Sequence, residues 1–261
     1  PPPPPPPFFF STPTRPTPML RSLVGSEMCI RDRSYNTPNL DALASNGVNF
    51  TNAIANPLCT PSRVKIMTGK YNYKNYDYFT HLNSSEKTFG NLFKDNGYET
   101  AIVGKWQLNG LKISEIDQRI KEDNTRPYKF GFDEYCLWQL TKTKDFGERF
   151  ANPLIEQNGK FLDRNKDLYG PDIVSDYAID FIQRNKEKPF FLYYPMLLAH
   201  DPFVPTPDSD EWNNPDLRYK KNKIFFKDMV EYLSLIHISE PTRLLSIEYG
   251  VVCLEKKMGG G

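Results

Sequence analysis

No stretch of the chain is apolar for long enough to cross a bilayer, which takes about 20 residues in a helix. Neither sign of charge is in excess. The 33 Lys and Arg stand against 32 Asp and Glu, a formal net charge of +1, which leaves no basic footprint for nucleic acid or an anionic membrane. Cysteine is sparse: Cys29, Cys59, Cys136 and Cys253 show no zinc-type spacing and no dense disulfide framework. They neither require nor exclude an oxidising compartment. No internal repeat is visible, and 261 residues suffice for one large domain or two small ones.

The two ends lack the patterning of a fold. Residues 1–33 pass from a proline homopolymer into a phenylalanine homopolymer and bury no patterned face. They carry no basic n-region, apolar h-region or small-residue cleavage site, so they do not read as a signal peptide. Residues 234–261 hold an apolar, strand-like patch (Leu244, Leu245, Ile247, Val251, Val252) that a genuine terminal strand would also show. Both ends resemble translated adapter sequence from a sequencing library, and both are expected to be non-native or disordered.

Within residues 34–233 the richest stretch is Cys59-Thr60-Pro61-Ser62-Arg63, running on to Thr68-Gly69-Lys70. It predicts a cysteine in the last loop positions before a short helix, with Thr60 as N-cap, Pro61 in the first turn and Gly69 as the stop. A helix N-terminus presents unpaired N–H groups and favours an anion, and Arg63 adds a planar cation matched to a tetrahedral oxyanion. A nucleophile precursor, a helix start and an arginine thus converge, as a site for a sulfate or phosphate ester requires. A buried free cysteine beside a solvated arginine is the plainer alternative.

Around it, strands alternate with helices. Thr37-Pro38 opens a short helix closed by Asn46-Gly47, and Val48–Ile54 alternates as a half-buried strand. Ser85 is expected to cap a helix through Lys94, and Tyr98–Val103 to form a strand delivering Gly104-Lys105-Trp106-Gln107 at its carboxyl end. From about Lys112 to Asp167 the pattern weakens into irregular excursions with short strands. A helix over Pro171–Asn185, a strand over Phe190–Met196 ending near His200, and a helix around Ile224–Leu233 complete the series. This order predicts an α/β fold, a mostly parallel sheet sandwiched by helices, with ligands beyond the carboxyl ends of strands.

The Cys-x-Pro-Ser-Arg stretch, its Thr-Gly-Lys continuation, Gly104-Lys105-Trp106 and His200-Asp201-Pro202-Phe203 together resemble the type I sulfatases, from about Asn36 to Leu233. The resemblance implies an α/β sandwich related to alkaline phosphatase, truncated here at both ends, with 34–233 a partial catalytic domain. It implies hydrolysis of sulfate monoesters by a formylglycine made from Cys59, whose hydrated form attacks sulfur with one hydroxyl and expels sulfate with the other. Arg63 would hold that group and the anion, Lys105 would bind sulfate, and His200 would protonate the leaving oxygen, for which a group titrating near neutrality is expected. Trp106 is expected in the core. Gln107 stands where family members commonly have His; it can hydrogen-bond but cannot hold a proton.

The implied cofactor is Ca2+, with Cys59 (as formylglycine) among its ligands. The family's aspartate pair and Asp-Asn pair are missing from this sequence, and Asp201 and Asp208 are no substitute, so the fragment itself is expected to be inactive. The implied partners are a sulfated small molecule or carbohydrate and a formylglycine-generating enzyme. The implied location is secreted, periplasmic or lysosomal. A phosphonate or phosphate ester hydrolase of the same fold, and a non-catalytic relative that binds sulfated ligands, remain open.

Overall fold

The structure, a computed structural model, describes residues 35–45, 56–164 and 167–235. The strand expected at Val48–Ile54, the segment 1–33 and the apolar patch of the tail lie outside the described residues.

Helix α1 (Pro38–Ser45) is followed among the described residues by α2 (Cys59–Thr68), which ends at Gly69 in the left-handed region (φ 65°), its N–H donating to the Lys65 carbonyl. Helix α3 (Phe89–Asp95) begins three residues later than the sequence suggests. Thr88 is the cap: its hydroxyl accepts from the Gly90 N–H, while the Asn91 side chain accepts from the Thr88 N–H. Such a box contributes about 1 kcal/mol. Ser85 instead turns back on the Asn83 side chain.

Strand β1 (Glu99–Lys105) leads through two four-residue helices, α4 (Gln118–Lys121) and α5 (Arg126–Lys129), to β2 (Glu134–Trp138). The short β3 (Ile155–Gln157) and β4 (Lys160–Phe161) follow, then the long α6 (Gly170–Asn185), β5 (Phe190–Tyr193) and α7 (Phe225–Leu235). The expected strand Phe190–Met196 stops at Tyr193. Pro195 has no N–H for a ladder, and its carbonyl accepts instead from the Lys105 N–H at 2.8 Å.

The sheet runs β4-β3-β2-β1-β5. β1 pairs in parallel with both β2 and β5, placing Lys105 opposite Trp138 and Ala101 opposite Leu192. β3 and β4 join antiparallel at one edge, so the sheet is mixed, parallel where it carries the site. Side chains alternate across it as the pleat demands. Ile102, Tyr135 and Leu137 point into a core with Val64 and Met67 of α2. Ala101, Val103, Cys136 and Trp138 point the other way, onto Val174, Ala178 and Phe181 of α6. Helices thus cover both faces, and α2 begins at the carboxyl end of β1.

Gly104 makes that junction possible. It sits at φ 116°, and a Cβ there would lie 2.3 Å from the Pro195 carbonyl oxygen. Gly104→Ala is expected to lower unfolding free energy by at least about 2 kcal/mol, from backbone strain plus a clash the main chain cannot relieve. Urea denaturation of the variant beside Gly97→Ala checks this. Gly97 also has positive φ (80°) but open space around it, so it isolates strain from clash.

Candidate active site

Cys59 is the first residue of α2, not a loop residue before it. The cap position is Leu58, which offers no side-chain bond. Thr60 is inside the helix because its hydroxyl has another partner: it accepts from the Thr80 N–H at 3.0 Å, tying the loop after α2 across the helix start. The Ser62 hydroxyl donates back to the Asn56 carbonyl at 2.8 Å. Cys59 therefore stands half-buried in the first helical turn, where the unpaired N–H groups and the macrodipole favour an anion.

Arg63, one turn on, is 7% exposed and so is not a solvated helix-face charge. Its Nη2 donates to the Lys105 carbonyl at 2.5 Å and its Nη1 to the Trp106 carbonyl. Those two carbonyls lie at and just past the end of β1. The guanidinium thus fastens the start of α2 to the end of that strand. Trp106 is fully buried, with Nε1 donating to the Asn109 side chain at 2.6 Å, as a core tryptophan should.

Gln107 has a positive φ of 49°, and its side-chain oxygen comes 3.8 Å from the Cys59 sulfur as acceptor for the thiol. Lys105 is buried, and its ammonium acts directly on the Cys59 sulfur. Burial drives the Lys105 pKa down to about 7, helped by the charges of Arg149 and Arg63 and opposed by Cys59. For the Cys59 thiol, burial pulls the pKa up, but Lys105, Arg63 and hydrogen bonds from Thr60 outweigh it, so the net shift is downward. Cys136, buried in the core without such neighbours, is pushed up to about 12.

His200 stands exposed beyond β5. Its Nδ1 lies 2.6 Å from the Asp201 carbonyl, which places the proton on Nδ1 and leaves Nε2 as an acceptor. Desolvation by the surrounding protein, then the charges of Arg149 and Lys105, lower its pKa to about 4. In the empty site it is therefore neutral at pH 7, where the sequence argument expects titration near neutrality. An anion bound beside Lys105 and Arg149 offsets both charges and moves the imidazole back toward proton uptake.

The structure thus brings Cys59, Arg63, Lys105 and Gln107 together at the carboxyl end of β1, with His200 feeling the same charges. It adds Arg149, which sequence reasoning missed. Arg149 lies in the weakly patterned stretch between Lys112 and Asp167, within no motif, and nothing in the chain flags it.

A sulfatase family model matches residues 25–236. The chain belongs to the sulfatase family. It is 33% identical over 183 residues to the N-acetylglucosamine-6-O-sulfatase of Bacteroides thetaiotaomicron, covering 69% of this chain and 29% of that protein. Identity to human steryl-sulfatase is 41% over 136 residues, covering 47% of this chain and 22% of that one. A solved structure in complex with its substrate D-glucosamine-2-N,6-O-disulfate matches with 33% identity and a TM-score of 0.50, over 66% of this chain and 31% of that one. This sulfatase chain accordingly spans about a third or less of the length of these relatives, and it shares their α/β fold.

The described residues do not fit a hard divalent cation. Around Cys59 they present a lysine, two arginines and an amide rather than the carboxylates such an ion takes, and no group of three or more His, Cys, Asp or Glu able to hold a metal occurs among them. What they fit is an anion.

The shifted thiol gives a direct check. At pH 7.5, iodoacetamide is expected to alkylate Cys59 at least about tenfold faster than Cys136, because the thiolate is the nucleophile and one site favours it while the other is closed. Lys105→Met should slow Cys59 alone, as read by peptide mass mapping over time.

Proposed function

We propose that the chain provides the nucleophile and anion-binding part of a sulfuric ester hydrolase acting on sulfated carbohydrate, with Cys59 matured to formylglycine. The observation that carries this is the placement of Cys59 on the first turn of α2 against the buried Lys105 cation. Carbohydrate is favoured because an N-acetylglucosamine-6-O-sulfatase and a protein whose substrate is a glucosamine disulfate are both 33% identical to this chain. The catalytic part is taken as residues 34–233.

The formylglycine would supply the covalent sulfuryl-transfer chemistry. The chain's own residues do the rest. Lys105 neutralises charge on the sulfuryl oxygens, in a setting dry enough for one cation to count heavily. The Gln107 side chain, held by its positive-φ backbone, orients the group at position 59 by hydrogen bonding but takes no proton. His200, with Nδ1 engaged by the Asp201 carbonyl, keeps Nε2 as its free acceptor. Once the anion has offset Arg149 and Lys105, that nitrogen can take up a proton and pass it to the departing alcohol. A carboxylate-rich donor set of the kind a calcium ion needs is not present among the described residues, so no step is assigned to one.

Two measurements test the reading. Co-expression with a formylglycine-generating enzyme should convert the Cys59 peptide from thiol to aldehyde by mass, and the product, inactive without the missing metal ligands, should bind 6-sulfated N-acetylglucosamine in preference to the 6-phosphate. Lys105→Ala should weaken that binding about 10- to 100-fold. An aldehyde with phosphate preference would move the assignment to a phosphate or phosphonate ester hydrolase. A persistent thiol would make the protein a binding relative, with Gln107 as its marker.

Sulfate binding should also weaken as pH rises. Lys105 is half-charged near pH 7 in the empty site and becomes neutral above it, so affinity is full at lower pH and falls through pH 7–9. Lys105→Arg, charged throughout, should flatten that profile in titration calorimetry.

A further inference from the structure

We propose that Arg149 is a substrate-binding residue of this site, donating hydrogen bonds from its guanidinium to the oxygens of the bound ester sulfate. The inference rests on the reading of the Cys59 site as a sulfate site, and it adds a residue that no motif of the sequence marks.

Arg149 is 7% exposed, and its Nε and Nη1 are both buried with no hydrogen-bond acceptor. A buried guanidinium left this way is costly, and buried charges are normally paired and hydrogen-bonded. Among the described residues Arg63 and Arg126 are also buried and also leave Nε unpaired, but their terminal nitrogens show the usual solution. Arg63 donates to the Lys105 and Trp106 carbonyls, and Arg126 to the Ser84 hydroxyl at 2.7 Å and the Leu82 carbonyl. Among the described residues no carboxylate lies within ion-pair distance of Arg149. Its nearest negative influences are Cys59, Asp201 and Glu148.

What holds Arg149 is aromatic packing, which leaves its N–H groups unspent. The guanidinium carbon lies 4.3 Å from the Trp138 ring centroid and 5.4 Å from that of Phe150. The backbone is equally fixed. Gly170 donates to the Phe150 carbonyl at 2.9 Å, and a Cβ on Gly170 would lie 1.9 Å from the Arg149 carbonyl oxygen. Trp138 in turn is the β-ladder partner of Lys105, and its carbonyl accepts from the Trp106 N–H at 3.0 Å. Arg149 is therefore stacked on the strand residue directly opposite the sulfate-binding lysine. Its charge reaches Lys105 and His200 and lowers both pKa values, as a cation facing the same space does. A tetrahedral anion between Lys105 and Arg149 would supply the missing acceptors and relieve the repulsion together.

The test is titration of inorganic sulfate into the full chain by calorimetry, at pH 6.5, for the parent, Lys105→Met, Arg149→Met and Arg149→Lys. Arg149→Met keeps volume over Trp138 and removes charge and donors; it should weaken sulfate about 10- to 100-fold. Arg149→Lys, a point charge without the planar donors, should lose several-fold. The His200 ring should titrate at higher pH in Arg149→Met, by NMR. If Lys105→Met loses sulfate while folded Arg149→Met binds as the parent does, Arg149 is merely a packed cation and the proposal falls, with the site reading intact. Should Arg149→Met not fold, parent-like affinity in Arg149→Lys overturns it equally. If the parent binds no sulfate, or Lys105→Met changes nothing, the site reading fails and this proposal with it.

Discussion

The double hydrogen bond from Arg63 to the carbonyls of Lys105 and Trp106 is the tie on which the site depends. It joins two segments that the core alone would only bring near each other, the first turn of α2 and the chain leaving β1. It also satisfies carbonyls beyond the reach of the sheet ladder, where unpaired groups would be costly. Since guanidinium keeps its charge while donating, the same contact contributes to the field at Cys59. Removing one side of such an arrangement generally costs about 3–5 kcal/mol, because the other side stays buried without a partner. Geometry and electrostatics at Cys59 therefore share one anchor.

The second constraint is cationic crowding. Arg149 and Arg63 lower the pKa of Lys105, Arg149 and Lys105 lower that of His200, and Lys105 and Arg63 lower that of Cys59. The empty site is electrostatically unfavourable, and the aromatic and backbone contacts of the sheet and α6 hold it together regardless. A binding site for a doubly coordinated oxyanion is pre-organised in this sense: the repulsion is accepted on folding, and the ligand removes it.

Much of this was legible in the sequence, for identifiable reasons. Cys59, Arg63, Lys105 and Gln107 sit at a helix start with Pro61 in its first turn and at a strand end where Gly104 lets the chains approach closely. Helix α6 and strand β1 have patterns long enough to read. β2 was hidden: Glu134–Trp138 is nearly all buried, without the alternation that betrays a half-exposed strand, and it follows a charged stretch. The start of α3 was misread because Ser85 and Thr88 both suit a cap, and only the Asn91 partner decides between them. The direction of the Arg63 side chain and the place of Arg149 depend on contacts far along the chain, which spacing does not carry.

Pairing of β1 with β5 sets Glu99 opposite Phe190, so two neighbouring strands are separated by nearly half of the described chain. Closing so long a loop costs only about 0.6 kcal/mol more than closing one half its length, but it is slow, because no local contact rewards the search. Cys59, Lys105 and Gln107 belong to segments close in sequence, whereas His200 arrives only with β5. The Cys59 end of the site is thus assembled from nearer segments and the His200 end from a distant one. During synthesis, the residues of the first leave the ribosome well before those of the second.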